Sequence, residues 1–162
     1  EKAMAHKISI SDMRLEYTTH GTRFLVNGSD ITKHLRENAV ESSVSLVSKV
    51  LAIRKLMMSS KRQIAQQGPI VMVGRDIGSV VLPNAKKKIY LDASVRTRAL
   101  RRTKDTRDKT LDDVIKDIMN RDRIDSERSH APLLVPEGAY SIDTNTMTIG
   151  QVVNEITEYI RK

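Results

Sequence analysis

Apolar and polar positions alternate along the first part of the chain and then change to a helical spacing. Residues 13–27 alternate on both sides of His20-Gly21, which predicts a β-hairpin. Apolar residues recur at helical spacing over 39–67, and Gly68-Pro69 ends the pattern. Because this span is long for a single helix, we expect a break near residues 50–52.

Three short strands are predicted in the rest of the chain. Short runs at 70–73 and 88–91 predict the first two, and residues 140–143 predict the third. The first two have the composition of strands that are buried on both faces, as in parallel sheets.

Helices are predicted between and after these strands. One spans residues 95–104, and a second begins at Thr110, with Asp113 in the position of a capping box. A third begins at Thr148, with Gln151 completing a second capping box, and its apolar residues form a regular stripe. The order of the elements predicts an α/β fold with a parallel sheet and an insertion at the front.

The composition limits the classes of partner and of site. The 162 residues carry a net charge of +8 and a pI of about 9.8, which indicates an anionic partner such as a nucleotide. Aromatic residues make up only 3% of the chain, which argues against stacking platforms for single-stranded nucleic acid. The absence of cysteine excludes disulfides and cysteine-based metal sites and favours a reducing compartment. No apolar run has the length of a membrane span.

The first candidate site is the segment Gly74-Arg75-Asp76-Ile77-Gly78, which directly follows a predicted strand. Ligands of open parallel sheets bind beyond the carboxyl ends of the strands. Arg75 can bind a phosphate there through its planar fork of donors, and Asp76 can accept hydrogen bonds from an amino group such as that of cytosine. An ordinary turn with a local ion pair explains the same residues without a ligand.

Arg121, Asp125 and Arg128 form the second candidate site. Their spacing of i, i+4 and i+7 places them on one face of a helix. Two arginines around one carboxylate can hold a sugar and a phosphate. The same spacing suits a solvated salt-bridge face, worth about 0.3–0.5 kcal/mol per pair.

Arg98, Arg101 and Arg102 form the third candidate site, on a helix that runs into a basic, polar stretch. Such a helix can close over a polyphosphate as a lid does, and a solvated basic surface explains it equally well. The sequence contains no G-x-S-x-G elbow, no histidine spacing typical of a metal site and no G-x-x-x-x-G-K-[ST] phosphate loop.

Taken together, these stretches resemble the cytidylate kinases, bacterial-type nucleoside monophosphate (NMP) kinases of the P-loop NTPase superfamily. The resemblance covers nearly the whole chain from about Ile8 and is carried by the blocks FLVNGSDITKHLR, SKVLAIR, VGRDIGSVVLPNAKKKIYLDAS, VRTRALRR, RDRIDSERSHAPL and AYSIDTNTMTIGQVV. It implies a parallel-sheet, P-loop-kinase-like core with an antiparallel-sheet and helical NMP-binding insertion. The insertion would span residues 1–66 and the C-terminal part of the core residues 67–162, with a lid at about 101–112.

The resemblance also implies a function, which is transfer of the γ-phosphoryl group of ATP, with Mg²⁺, to CMP or dCMP. It implies a cytoplasmic monomer that acts on neither membranes nor nucleic acid and has no protein-bound metal site in these residues. The implied substrate-binding residues are Ser48, Arg54 and Asp76 for cytosine, Arg121 and Asp125 for the sugar, Arg75 and Arg128 for the acceptor phosphate, and Arg36 in a further matching position. The implied catalytic residues are Arg75 and Arg128 together with Arg98, Arg101 and Arg102, which lie on the lid side near ATP.

The sequence departs from the family pattern at three places. Val73 stands where many members have an aspartate, and the lid stretch between Arg102 and Leu111 is a few residues short. The N-terminal block, with the P-loop, its lysine and the first two strands, is absent from these residues. Because that block carries most contacts to ATP and Mg²⁺, we expect an incomplete, inactive fragment that retains the acceptor site.

Two other functions remain open. One is a non-catalytic nucleotide-binding module that keeps a CMP pocket, and the other is a basic nucleic-acid-binding domain. The second is disfavoured because Asp76 and Asp125 lie inside the basic clusters and would repel a phosphate backbone.

Overall fold

The computed structural model describes residues 13–19, 21–48, 50–104, 109–127 and 131–162. The chain divides into two compact units, Glu1–Ile70 and Val71–Lys162, and each is described by itself. The first contains a small antiparallel sheet with helices, and the second a small parallel sheet with helices. The predicted α/β class is confirmed. No helix among the described residues is long and apolar enough to cross a membrane.

The described part of the first unit starts with three antiparallel strands in chain order: β1 (Met13–Thr18), β2 (Gly21–Val26) and β3 (Ser29–Asp30). The first two strands form the predicted hairpin, whose tip residue His20 lies outside the described residues. Asn27 and Gly28 join β2 to β3 with φ values of 51° and 77°. A two-residue connection with both φ values positive is the turn that best matches the twist of antiparallel strands.

A short 3₁₀ helix (Thr32–Arg36) leads into two α-helices, α1 (Asn38–Val47) and α2 (Leu51–Ala65). The predicted break is confirmed, because the first helix ends at Val47 and Val50 adopts extended backbone angles before the second begins. The chain therefore changes direction between two helices that the apolar pattern alone would join.

The second unit contains two parallel strands, β4 (Ile89–Asp92) and β5 (Tyr140–Asp143), with Ile89 opposite Tyr140. Helices α3 (Val95–Thr103) and α4 (Leu111–Glu127) lie between them in sequence, and α5 (Ile149–Arg161) follows. The core of α3 and α4 is built from small and branched apolar side chains. Its buried members are Ala99, Val114 and Ile118, against which Val95, Leu111 and Ile115 pack.

Side chains cap two of these helices as the sequence predicts. Thr110 Oγ1 accepts a hydrogen bond from the Asp113 amide at 3.2 Å, and the Thr110 amide donates to the Asp113 carboxylate at 3.3 Å. The Thr110 hydroxyl also donates to that carboxylate and holds the pKa of Asp113 below its usual value. Thr148 and Gln151 form the second capping box, so both helix starts are fixed by local chemistry.

The strand predicted at residues 70–73 is wrong. These residues form no ladder with any other described segment, and Val71 and Val73 are 87% and 91% exposed. A strand needs a hydrogen-bonded neighbour, and an apolar run does not supply one.

Gly78 lies where a π-helical turn (Ile77–Val81) packs closely on Pro136. A Cβ atom at this position would lie 3.0 Å from Pro136 Cγ and 3.3 Å from Pro136 Cβ. Because the proline ring cannot rotate away, Gly78→Ala is expected to lower the free energy of unfolding by about 1–2 kcal/mol in urea titrations. Gly150→Ala is the matched control, since nothing lies within 4 Å of a Cβ built there. Equal losses in both variants would contradict this packing argument.

Candidate functional site

The turn that follows residue 73 fixes Arg75 and Asp76 in different environments. The Asp76 carbonyl accepts hydrogen bonds from the amides of Val80 and Val81 at 3.0 and 3.1 Å, which starts the π-helical turn. Single π-helical turns are frequent at functional sites. Asp76 is buried, whereas the Arg75 side chain remains partly exposed. The side chains of Arg75 and Asp76, although adjacent in sequence, therefore lie in different surroundings.

Arg75 binds two carboxylates of helix α4. Its Nη1 atom lies 2.8 Å from Asp122 Oδ1 and 2.6 Å from Asp125 Oδ2. These aspartates are three residues apart and share one face of the helix. Two carboxylates of helix α4 therefore fix the position of the Arg75 guanidinium group.

Arg98 of helix α3 joins the same group of charges. Its Nη1 atom lies 2.6 Å from Asp122 Oδ2, and its Nε donates to the Ala93 carbonyl at 3.0 Å. Arg121 Nε lies 4.0 Å from Asp125 Oδ2. We call this group the arginine–aspartate network; its members are Arg75, Arg98, Arg121, Asp122 and Asp125.

Burial in the network increases from the arginines to the carboxylates. The three arginine side chains are 30–39% exposed, whereas the side chain of Asp125 is 4% exposed. Three guanidinium groups and two carboxylates leave an excess of positive charge. The buried Asp125 and the half-buried Asp122 thus support a partly exposed cationic surface that can bind an anion.

Each of the two best-anchored arginines keeps donors available. Among the described residues, no partner contacts Nε or Nη2 of Arg75, or Nη2 of Arg98. Phosphate oxygens accept hydrogen bonds from such a fork of N–H groups in a bidentate geometry. The arrangement can therefore hold a phosphate without breaking the contacts that position the arginines.

The structure separates the three arginines predicted on the lid side. Arg98 belongs to the network, whereas Arg101 donates from Nη1 to Thr144 Oγ1 at 3.0 Å and from Nη2 to the carbonyls of Thr144 and Met147. Arg102 is half-buried on the same helix. Residues 105–108 of the predicted lid lie outside the described residues.

The first unit brings two of the predicted site residues together. Arg54 Nη1 donates to the Ser48 carbonyl at 3.3 Å, across the break between α1 and α2. The break therefore places residues that one straight helix would set on different faces close to each other. Arg36 is exposed at the end of the 3₁₀ helix.

Arg128 lies outside the described residues. Asp122 is a member of the network that the sequence analysis missed. Its position three residues before Asp125 on a helix was the available signal, because that spacing shares a face.

Comparisons with known proteins agree over the whole chain. The family model described as cytidylate kinase matches residues 1–162. The chain is similar to the cytidylate kinase of Bacillus subtilis, with 37% identity over 100% of this chain and 74% of the relative. The Geobacillus kaustophilus cytidylate kinase is 40% identical with the same two coverages. The Desulforamulus reducens cytidylate kinase is 42% identical over 85% of this chain and 64% of the relative.

Proposed function

Because the chain belongs to the cytidylate kinase family, a family of phosphotransferases, we propose that it serves the transfer of the γ-phosphoryl group of ATP to CMP or dCMP. The products are ADP and CDP or dCDP. The observation that carries the proposal is the arginine–aspartate network, in which the half-buried Asp122 and the buried Asp125 position guanidinium donors. Phosphoryl transfer depends mainly on such positioning and on stabilisation of charge.

The acceptor phosphate is assigned to Arg75. Its Nη1 atom is engaged by Asp122 and Asp125, so the guanidinium plane is fixed while its remaining donors bind phosphate oxygens. Arg128 is assigned to the same phosphate on the basis of the family resemblance.

The sugar is assigned to Arg121 and Asp125. Arg121 is the more exposed of the pair, so it makes the direct contact with a sugar hydroxyl. Asp125, which is almost fully buried, supports Arg121 and Arg75 and carries the negative charge that both require.

The family resemblance assigns Asp76, Ser48 and Arg54 to the recognition of cytosine. A carboxylate accepts a hydrogen bond from the exocyclic amine of cytosine, a donor that uracil lacks. A site built to pair that amine discriminates against uracil, because uracil offers the carboxylate no donor at the same position. Arg36, which is exposed in the first unit, is assigned to substrate binding, and no particular group of the substrate is assigned to it.

The donor side is assigned to Arg98, Arg101 and Arg102. Arg98 shares the Asp122 carboxylate with Arg75, which supports a role for Arg98 in stabilising charge on the transferred phosphoryl group. Magnesium, when bound with ATP, neutralises phosphate charge. The described residues contain no group of three or more histidine, cysteine, aspartate or glutamate side chains that could hold a metal ion.

We expect the 162-residue chain by itself to bind CMP without turning over ATP, because its sequence contains no G-x-x-x-x-G-K-[ST] loop for the ATP phosphates. Calorimetry with CMP and a coupled assay with ATP and CMP measure the two properties on one preparation. Robust turnover would refute the expected inactivity, and absence of CMP binding would refute the acceptor site.

CMP binding without turnover is also the behaviour of a non-catalytic nucleotide-binding module. The coding sequence upstream of residue 1 separates the two functions. A glycine-rich loop ending in G-K-[ST] there supports the kinase, and a natural protein without one supports the binding module.

A further inference from the structure

Asp122 uses its two carboxylate oxygens to hold two different arginines. Oδ1 lies 2.8 Å from Arg75 Nη1, and Oδ2 lies 2.6 Å from Arg98 Nη1. The arginines come from different elements, since Arg75 belongs to the turn before the π-helical turn and Arg98 to helix α3. One side chain of helix α4 therefore links two cationic groups that are distant in sequence.

Each arginine also has a second anchor. Asp125 Oδ2 holds Arg75 Nη1 at 2.6 Å, and the Ala93 carbonyl holds Arg98 Nε at 3.0 Å. Nη2 of both arginines has no partner in the part of the chain that the structure describes. Both guanidinium groups are thus fixed on one side and available to a ligand on the other.

We propose that Asp122 is a positioning residue that holds Arg75 and Arg98 side by side as a clamp for one phosphate or pyrophosphate group. The inference rests on the proposed function for the identity of the nucleotide, and on the geometry alone for the anion. Asp122 contacts the arginines and not the ligand, so its effect on binding is indirect.

Electrostatics and positioning predict opposite effects of neutralising Asp122. Removing a negative charge beside two arginines raises the local positive potential, which by itself strengthens binding of an anion. Removing the shared anchor leaves two like charges to repel each other and frees two flexible side chains, which must then be ordered when the anion binds. The sign of the change in affinity therefore distinguishes a clamp from a simple charge.

The experiment measures binding of CMP, cytidine and inorganic pyrophosphate by calorimetry to the 162-residue chain. For Asp122→Asn, which keeps the size of the side chain, we expect about 10-fold weaker binding of CMP and pyrophosphate, the scale of ordering one or two freed side chains. Cytidine binding should not change, because cytidine has no phosphate. Asp122→Glu, which keeps the charge, should restore part of the loss.

Asp117→Asn is the matched control. Asp117 lies on the same helix, is exposed and pairs with Lys109 at 2.7 Å, so its neutralisation changes the net charge equally without touching the network. Affinities of this control should equal those of the parent chain.

Should Asp122→Asn not fold, as shown by circular dichroism, Arg98→Lys replaces it, because lysine keeps the charge and loses the fork.

The outcomes separate this inference from the proposed function. If the parent chain binds CMP and Asp122→Asn binds CMP equally well or more tightly, the clamp is overturned and the function stands. If the parent chain binds pyrophosphate but not CMP, and Asp122→Asn weakens pyrophosphate binding, the clamp stands and the function fails. A parent chain that binds neither ligand overturns both.

Discussion

Replacing Arg75 by alanine is expected to weaken CMP binding by about 10- to 100-fold, because hydrogen bonds to a charged group contribute roughly 1.5–3 kcal/mol. The variant removes the fork assigned to the acceptor phosphate. It also removes the guanidinium group that lies 2.6 Å from Asp125, whose side chain is 4% exposed. Calorimetry with CMP and cytidine measures the effect. The loss should appear with CMP and be nearly absent with cytidine.

Two further variants make the Arg75 result specific. Arg75→Lys keeps the charge but not the planar fork, so its CMP affinity should lie between those of the parent chain and the alanine variant. Arg123→Ala removes an exposed arginine of helix α4 that pairs with Glu127 at 2.8 Å, and CMP affinity should not change. Equal losses from Arg75→Ala and Arg123→Ala would show that only net charge matters.

The largest effect on stability is expected for Asp125→Ala. Removing one partner of a buried ion pair typically costs about 3–5 kcal/mol, because the other charge stays buried without compensation. Since Arg75 and Arg121 are partly exposed and water can reach them, we expect the lower end, about 3 kcal/mol. Urea unfolding followed by circular dichroism measures the change.

Asp117→Ala provides the comparison for stability. It breaks the exposed pair with Lys109, and exposed pairs contribute little to the free energy of unfolding. A stability loss of Asp125→Ala no greater than that of Asp117→Ala would mean that the buried carboxylate does not organise the surrounding arginines.

Features of the fold that depend on residues close together in sequence could be predicted. The capping boxes at Thr110 and Thr148 depend on residues three positions apart, so their sequence patterns correspond directly to hydrogen bonds in the structure. The break before Leu51 was predictable because the apolar span was too long for one helix. The contact of Arg54 with the Ser48 carbonyl across that break follows from the same feature.

Features that depend on distant partners were not predictable in the same way. The run at 70–73 has the composition of a strand, but a strand exists only where another segment pairs with it, and no described segment does. Asp122 is one of several carboxylates on its helix. Its partners lie 47 and 24 residues away in sequence, so only the folded arrangement identifies it as the shared anchor.

The parallel pairing of β4 with β5 has a consequence for the order of folding. The two strands are separated in sequence by α3 and α4, so their pairing closes a long loop. The β1–β2 hairpin and the packing of α3 on α4 each close a much shorter loop. Every network residue except Arg75 lies within that long loop. The Arg98–Asp122 contact belongs to the locally packed helices α3 and α4, whereas the contacts of Arg75 with Asp122 and Asp125 join more distant parts of the chain. Substitutions of Arg75 should therefore accelerate unfolding and leave the folding rate nearly unchanged, as stopped-flow refolding and unfolding would measure.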